Sequence, residues 1–95
     1  MKEVIEVFPD WCSSGLWYED GNADPEGLGI DDLGIILALQ YWHWFWEFNI
    51  GDSGAEDEDC KVSEYGIKQW EEDGQKIVDV LNEKYGDKYF FKLML

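Results

Sequence analysis

The chain has 95 residues, which is enough for one domain with a single core. It carries 22 Asp and Glu against seven Lys and no Arg, for a net charge of −15. This balance argues against direct nucleic-acid binding and against anionic membrane surfaces, because both need cationic side chains. The six Trp, five Tyr and five Phe favour a globular fold over a disordered acidic tail.

The first third of the chain predicts short strands and a loop. Residues 2–8 are rich in β-branched side chains and stop at Pro9, which is typical of a strand. Leu16-Trp17-Tyr18 predicts a second, short strand, closed by the turn signal Asp20-Gly21-Asn22. The composition of residues 23–29 is that of a loop.

A first helix is predicted from an N-cap at Asp31 to about Phe48. Its apolar residues form two stripes. One consists of Leu33, Ile36, Leu37, Trp44, Phe45 and Phe48, and the other of Ile35, Leu39, Trp42 and Trp46. A helix that is apolar almost all round is either enclosed by the core or covered by a partner.

A second helix is predicted over residues 63–85, followed by Gly86. Its apolar stripe is Ile67, Trp70, Ile77, Leu81 and Tyr85. Gly74 lies on the same stripe, where the missing side chain allows another helix to approach closely. Residues 88–95 predict a last strand. The fold class expected is therefore α+β, a single domain over 1–95 in the order β-(β)-α-α-β, with a sheet of two or three strands on two helices. We expect the two long strands to pair at the centre of the sheet, with both helices on one face.

The charge is unevenly distributed along the chain. Residues 3–60 carry fifteen acidic side chains and no cation, whereas residues 61–95 carry seven acidic side chains and six Lys. An ordinary solvated surface is one interpretation. A surface of mixed sign would keep the protein soluble with less self-repulsion. We therefore favour the other interpretation, in which a field of one sign steers a cationic partner.

No pattern of residues indicates catalysis or a metal site. His43 stands alone among aromatic residues, and no cation lies near Cys12 in sequence to activate a thiolate. Residues 20–31 place oxygen ligands as a calcium-binding EF-hand loop does, but Pro25 occupies the position that requires glycine. Weak divalent-ion binding there would be incidental. We expect no enzyme, no cofactor and no metal, and a hydrolase using carboxylates and a divalent ion remains an alternative.

The two cysteines and the chain start favour a cytoplasmic protein. Cys12 and Cys60 do not make a disulfide framework of the secreted type. The first residues lack the apolar segment of a signal peptide. The longest apolar stretch, residues 35–50, is interrupted by Gln40, His43 and Glu47 and is too short to span a bilayer.

Three short segments carry a resemblance to a family. They are Ser13-Ser-Gly-Leu-Trp17, Asp20-Gly-Asn22, and Asp24-Pro-Glu26 with Leu28-Gly-Ile30, and all lie within residues 13–30. In this pattern the chain resembles a set of small acidic bacterial proteins with an aromatic-rich helix, although Gly15 stands where a proline is common. This resemblance implies no activity.

In size, acidity and aromatic content the chain also resembles immunity proteins, which neutralise toxins in contact-dependent growth inhibition and related bacterial systems. This likeness is one of type and transfers no residues. It implies a basic toxin domain, often a nuclease, as partner.

We therefore expect an immunity or antitoxin-like protein that binds and blocks a basic toxin domain, with no chemistry of its own. One alternative is a nucleic-acid mimic that inhibits a host defence nuclease, and another is a structural module that forms a homodimer through the first helix. The expected partner-binding residues are Trp17, Asp20, Asp24, Glu26, Asp31, Asp32, Trp46, Glu56, Asp57, Glu58 and Asp59.

Overall fold

The strands and helices follow the predicted order, with one additional strand. A computed structural model describes residues 2–51 and 60–95. Its elements are β1 (Glu3–Val7), β2 (Leu16–Tyr18), β3 (Gly21–Asn22), α1 (Leu33–Asn49), α2 (Glu64–Tyr85) and β4 (Tyr89–Leu93). The α+β class is thus confirmed, but the sheet has four strands rather than two or three.

The sheet has the strand order β3-β2-β1-β4. The two long strands pair as predicted, in parallel, from Glu3 beside Tyr89 to Val7 beside Leu93. Of these two long strands, only β1 lies inside the sheet, because β4 forms one of its edges. The additional strand arises because Gly21 pairs back on Tyr18, so the turn itself is confined to Glu19 and Asp20.

One face of the sheet is buried. Ile5, Val7 and Phe91 point to this face and are almost completely enclosed. Their neighbours Val4 and Phe90 point to the other face and are exposed, as the period of two along a strand requires. The helices therefore cover a single face of the sheet.

The first helix begins one residue later than predicted. Asp32, not Asp31, is its N-cap, because the backbone of Asp32 is extended and its side chain accepts a hydrogen bond from the N–H of Ile35 at 3.2 Å. Two adjacent aspartates make this choice ambiguous in the sequence. Among the described residues, neither helix is long and apolar enough to cross a membrane.

The two helices meet at a reciprocal tryptophan pair. The rings of Trp42 and Trp70 stack with centroids 4.4 Å apart and planes within 2°. Each indole N–H donates to the other residue's carbonyl oxygen, at 2.7 and 2.8 Å. A Cβ at Gly74 would lie only 2.5 Å from Cζ2 of Trp42, so the predicted close approach at this glycine is confirmed.

The edge of the sheet formed by β4 is capped by a side chain from α2. The Asn82 amide donates to the carbonyl oxygen of Phe91 at 2.9 Å and accepts from the N–H of the same residue at 2.8 Å. The amide thus takes the place that a neighbouring strand would occupy at the centre of β4. Such capping opposes edge-to-edge association.

Candidate functional site

Three carboxylates lie near enough to the phenol of Tyr18 to raise its pKa. Tyr18 ends β2, Asp20 lies in the turn that follows, Asp24 begins the next loop, and Glu3 starts β1. We call Glu3, Asp20 and Asp24 the acidic cluster. All three are exposed. Elements far apart in sequence therefore bring their negative charges to the same place.

The electrostatic effect of the acidic cluster appears in the ionisation of Tyr18. The pKa of its phenol is raised above the ordinary value of 10.0. The largest cause is shielding from water, and the neighbouring Tyr89 and all three carboxylates of the cluster add to it. The negative potential opposes formation of a phenolate. The same potential attracts a cation.

In the described part of the chain, no lysine forms an ion pair with a carboxylate of the acidic cluster. Within residues 2–51 and 60–95, the ion pairs that involve lysine are Lys84 with Asp32 and Lys76 with Asp73. The first pair joins α2 to the N-cap of α1, and the second lies within α2. The exposed carboxylates of the first half of the chain thus remain available to an external cation.

The predicted acidic residues have different structural roles. Asp24 accepts a hydrogen bond from the N–H of Gly27 at 2.6 Å, and Glu26 is exposed on the same loop. Asp31 accepts a hydrogen bond from the hydroxyl of Tyr85 at 3.0 Å. The loop residues Asp20, Asp24 and Glu26 therefore lie close together in the chain, whereas Asp31 is held at the C-terminal end of α2.

Asp32, which is also predicted to bind a partner, makes two contacts inside the molecule. Besides capping α1, its carboxylate accepts a short hydrogen bond from the Lys84 ammonium. The hydrogen bond from Lys84 is the main reason why the pKa of Asp32 is lowered, and the same contact raises the pKa of Lys84. This carboxylate is already used inside the molecule, between α1 and α2.

The two predicted tryptophan anchors are not equivalent. Trp17 lies on the outer face of the sheet, where it stacks on Phe8 at 4.8 Å and donates its indole N–H to the carbonyl oxygen of the same residue at 3.0 Å. Trp46, by contrast, is only 7% exposed and packs against Trp11 at 4.9 Å. The expectation that Trp46 is an anchor is therefore wrong, because its stripe of α1 is the one that faces the core.

The predicted residues Glu56, Asp57, Glu58 and Asp59 lie outside the described residues. Their part in binding stays a prediction.

Most of the other stripe of α1 is exposed, although two of its predicted residues, Ile36 and Phe45, pack against the core. Leu33, Leu37, Trp44 and Phe48 belong to it as predicted, and the structure adds Tyr41 to the same side. These five residues, which we call the α1 outer face, are each 57 to 73% exposed. The sequence could not say which stripe of the helix is buried.

Sequence reasoning missed a polar cluster that joins α1 to the loop between β1 and β2. Nε2 of His43 lies 3.1 Å from Oγ of Ser13, and Nδ1 lies 3.7 Å from Oε1 of Glu47. Glu47 also accepts from the N–H of Cys12 at 3.0 Å, and Cys12 adopts the left-handed backbone with φ of 56°. The spacing of four between His43 and Glu47 was the only sequence signal, since Ser13 lies thirty residues away.

This cluster has the composition of a catalytic triad but not its hydrogen bonds. A general base needs a free lone pair on the nitrogen that faces the serine. Here the shortest contact of Nε2 is 2.8 Å to the carbonyl oxygen of Asp10, which can only accept. The N–H of Asp10 is farther from the same nitrogen, at 3.3 Å. The Ser13 hydroxyl donates to this carbonyl too, at 3.0 Å. The geometry favours a structural tether of the loop.

Other candidate chemistry is equally limited among residues 2–51 and 60–95. No group of three or more His, Cys, Asp or Glu side chains there is placed to hold a metal ion. Both cysteines are free. No protein-family model matches the chain, and a comparison with curated proteins gives no match either.

Proposed function

We propose that this protein is an immunity or antitoxin-like inhibitor that binds a basic protein, such as a toxin domain, and blocks access to it. The acidic cluster, with no lysine paired to it in the described part of the chain, is the observation that carries the proposal. An unneutralised field of one sign accelerates association with a partner of opposite sign and disfavours other acidic proteins.

The surroundings of the cluster suit a protein partner. Tyr18 is half-buried and offers rigid aromatic surface beside the charges, whereas Trp17, its neighbour in β2, offers aromatic surface on the outer face of the sheet. Aromatic residues of this kind commonly supply most of the binding energy at interfaces, whereas exposed charges supply specificity and rate. Inhibition then results from steric occlusion. With two free thiols, the protein would act in a reducing cytoplasm.

The test compares two variants with equal changes in net charge. The first, Asp20→Asn with Asp24→Asn and Glu26→Gln, which we call the loop variant, removes two charges of the acidic cluster and the neighbouring charge of Glu26. The matched control, Glu71→Gln with Glu72→Gln and Glu83→Gln, removes three exposed charges from α2. Asparagine at position 24 keeps an acceptor for the N–H of Gly27, so the loop should remain folded.

The measurement is calorimetric titration with a basic toxin domain, at two salt concentrations, together with growth of cells that express the toxin. We expect the loop variant to bind more weakly, with a flatter salt dependence, and to protect cells less than the control. Equal affinity and equal salt dependence of the two variants would remove the electrostatic basis of the proposal. Binding to many unrelated DNA-binding proteins would instead indicate a nucleic-acid mimic.

A further inference from the structure

The α1 outer face is a continuous apolar strip. Its residues recur at spacings of four, four, three and four, which keeps them on one side of the helix. From Leu33 to Phe48 the strip is about 22 Å long. Trp44 and Phe48 pack edge to face within it, at 4.9 Å. Apolar patches of this extent on soluble proteins usually mark interaction sites.

The strip differs from the rest of the acidic half because it carries no charge. The other exposed positions of α1 up to residue 46 are Gly34, Ala38 and Gln40. The carboxylate that flanks the strip, Glu47, is already only 20% exposed and accepts a hydrogen bond from the N–H of Cys12, so a second copy that approaches with the same strip adds little to the cost of desolvating a charge. The net charge of −15 on each copy still makes the two copies repel each other. The repelling groups lie outside the contact, where salt screens their interaction.

The exposed area is sufficient for a dimer of moderate stability. With ~200 Å² for each aromatic side chain and somewhat less for each leucine, the exposed fractions sum to roughly 600 Å² per copy. Two copies would bury roughly 1,200 Å², the lower end of the range for specific interfaces. Such a dimer should dissociate measurably on dilution.

The distribution of residue sizes along the strip indicates how two copies would pack. The smaller Leu33 and Leu37 occupy the N-terminal half, and the larger Trp44 and Phe48 occupy the C-terminal half. We propose that the α1 outer face is the interface of a homodimer in which the two α1 helices pack antiparallel. Each leucine then meets an aromatic ring of the other copy, and the two-fold axis passes near Tyr41. A parallel pair would place rings against rings and leucines against leucines.

Sedimentation of the full chain tests this inference, which does not depend on the proposed inhibitory function. The mass should rise from 11.1 kDa toward twice that value as the concentration increases through the micromolar range. The dimer should be stronger at about 0.5 M salt than at low salt, because screening reduces the repulsion between copies. Binding of a basic partner should weaken under the same change, so the two interactions can be separated.

Two charge variants test the antiparallel arrangement. Leu37→Lys and Trp44→Glu should each sediment as a monomer, because each places an unpaired charge in the apolar contact. In an antiparallel pair residue 37 of one copy lies against residue 44 of the other. Mixing the two variants should therefore restore a dimer through a lysine–glutamate pair. Parallel packing would not allow this rescue.

Phe90→Glu is the matched control, because Phe90 is an exposed aromatic residue on the outer face of the sheet. It should leave the dimer intact. The inference is overturned if the wild-type chain remains a monomer up to submillimolar concentration, or if Phe90→Glu alone dissociates the dimer. Failure of the mixture to reassociate, with both variants folded by circular dichroism, would overturn the antiparallel packing.

Discussion

The contact between Gly74 and the Trp42 ring makes Gly74→Ala a sensitive probe of the core. A Cβ at this position would approach three atoms of the indole ring to 2.5, 2.8 and 2.9 Å, and real Cβ atoms do not come this close to other atoms. The ring cannot easily retreat. It stacks on Trp70 and donates its N–H to the carbonyl oxygen of Trp70, while the Trp70 indole donates to the carbonyl oxygen of Trp42.

The expected effect is the difference between two opposing terms. Alanine is favoured over glycine in a helix interior by about 0.8–1.0 kcal/mol. Inserting a methyl group into a closely packed core costs ~1–3 kcal/mol. If the ring moves, it also weakens indole hydrogen bonds worth about 0.5–1.5 kcal/mol each. We expect a net loss of about 2 kcal/mol, which in a domain of this size lowers Tm by about 10 °C.

Urea unfolding followed by tryptophan fluorescence and circular dichroism measures this loss. Gly34→Ala is the control, because Gly34 is exposed in the first turn of α1 and a Cβ there meets only Oδ1 of Asp32, at 3.2 Å. The control should be neutral or slightly stabilising. If Gly74→Ala were as stable as Gly34→Ala, the close helix contact and the fixed position of Trp42 would both be refuted.

Three further predictions concern the edge of the sheet, an ion pair and the acidic cluster. Asn82→Ala removes both hydrogen bonds that cap β4, so it should lower stability by about 1–3 kcal/mol and increase aggregation, measured by urea unfolding and light scattering. Lys84→Gln should destabilise the protein at neutral pH. The difference in stability should shrink as pH falls below 3.8, the ordinary pKa of Asp32, because the carboxylate is protonated as pH passes its lowered folded pKa. It should also shrink as pH rises above 10.5, the ordinary pKa of Lys84, because the ammonium loses its proton as pH passes its raised folded pKa. Urea midpoints across pH would check both limits. Asp24→Asn should lower the pKa of Tyr18 toward 10.0, followed by NMR of the labelled ring, and an unchanged pKa would mean that the cluster does not act on this phenol.

Local sequence patterns determine most of the secondary structure of this protein. Period-two alternation and β-branched residues identify β1 and β4, and Ser63 accepts a hydrogen bond from the N–H of Gly66 as the N-cap at the predicted start of α2. The predicted stripe of α2 contains Trp70 and Leu81, both buried. These features depend on residues within a few positions of each other.

Features that depend on distant residues could not be predicted in the same way. Both stripes of α1 are apolar, and the stripe that packs on α2 is the one whose Trp42 fits against Gly74, far along the chain. The contact between His43 and Ser13 depends on how the β1–β2 loop folds over α1. The assembly of the acidic cluster needs the pairing of β1 with β2, which brings Glu3 toward the turn after Tyr18.

Two surfaces of opposite character follow from this arrangement, and salt should affect them in opposite directions. The α1 outer face is uncharged, so self-association there is opposed only by the net charge of the whole chain and should strengthen as salt rises. The acidic cluster attracts cations, so binding there should weaken under the same change. A single titration with a basic partner, followed by both sedimentation and calorimetry over a range of salt, should show the two trends in one sample. If dimerisation and partner binding both strengthened or both weakened as salt rises, one surface would mediate both interactions. The separation of the charged surface from the apolar surface would then no longer explain the function of the protein.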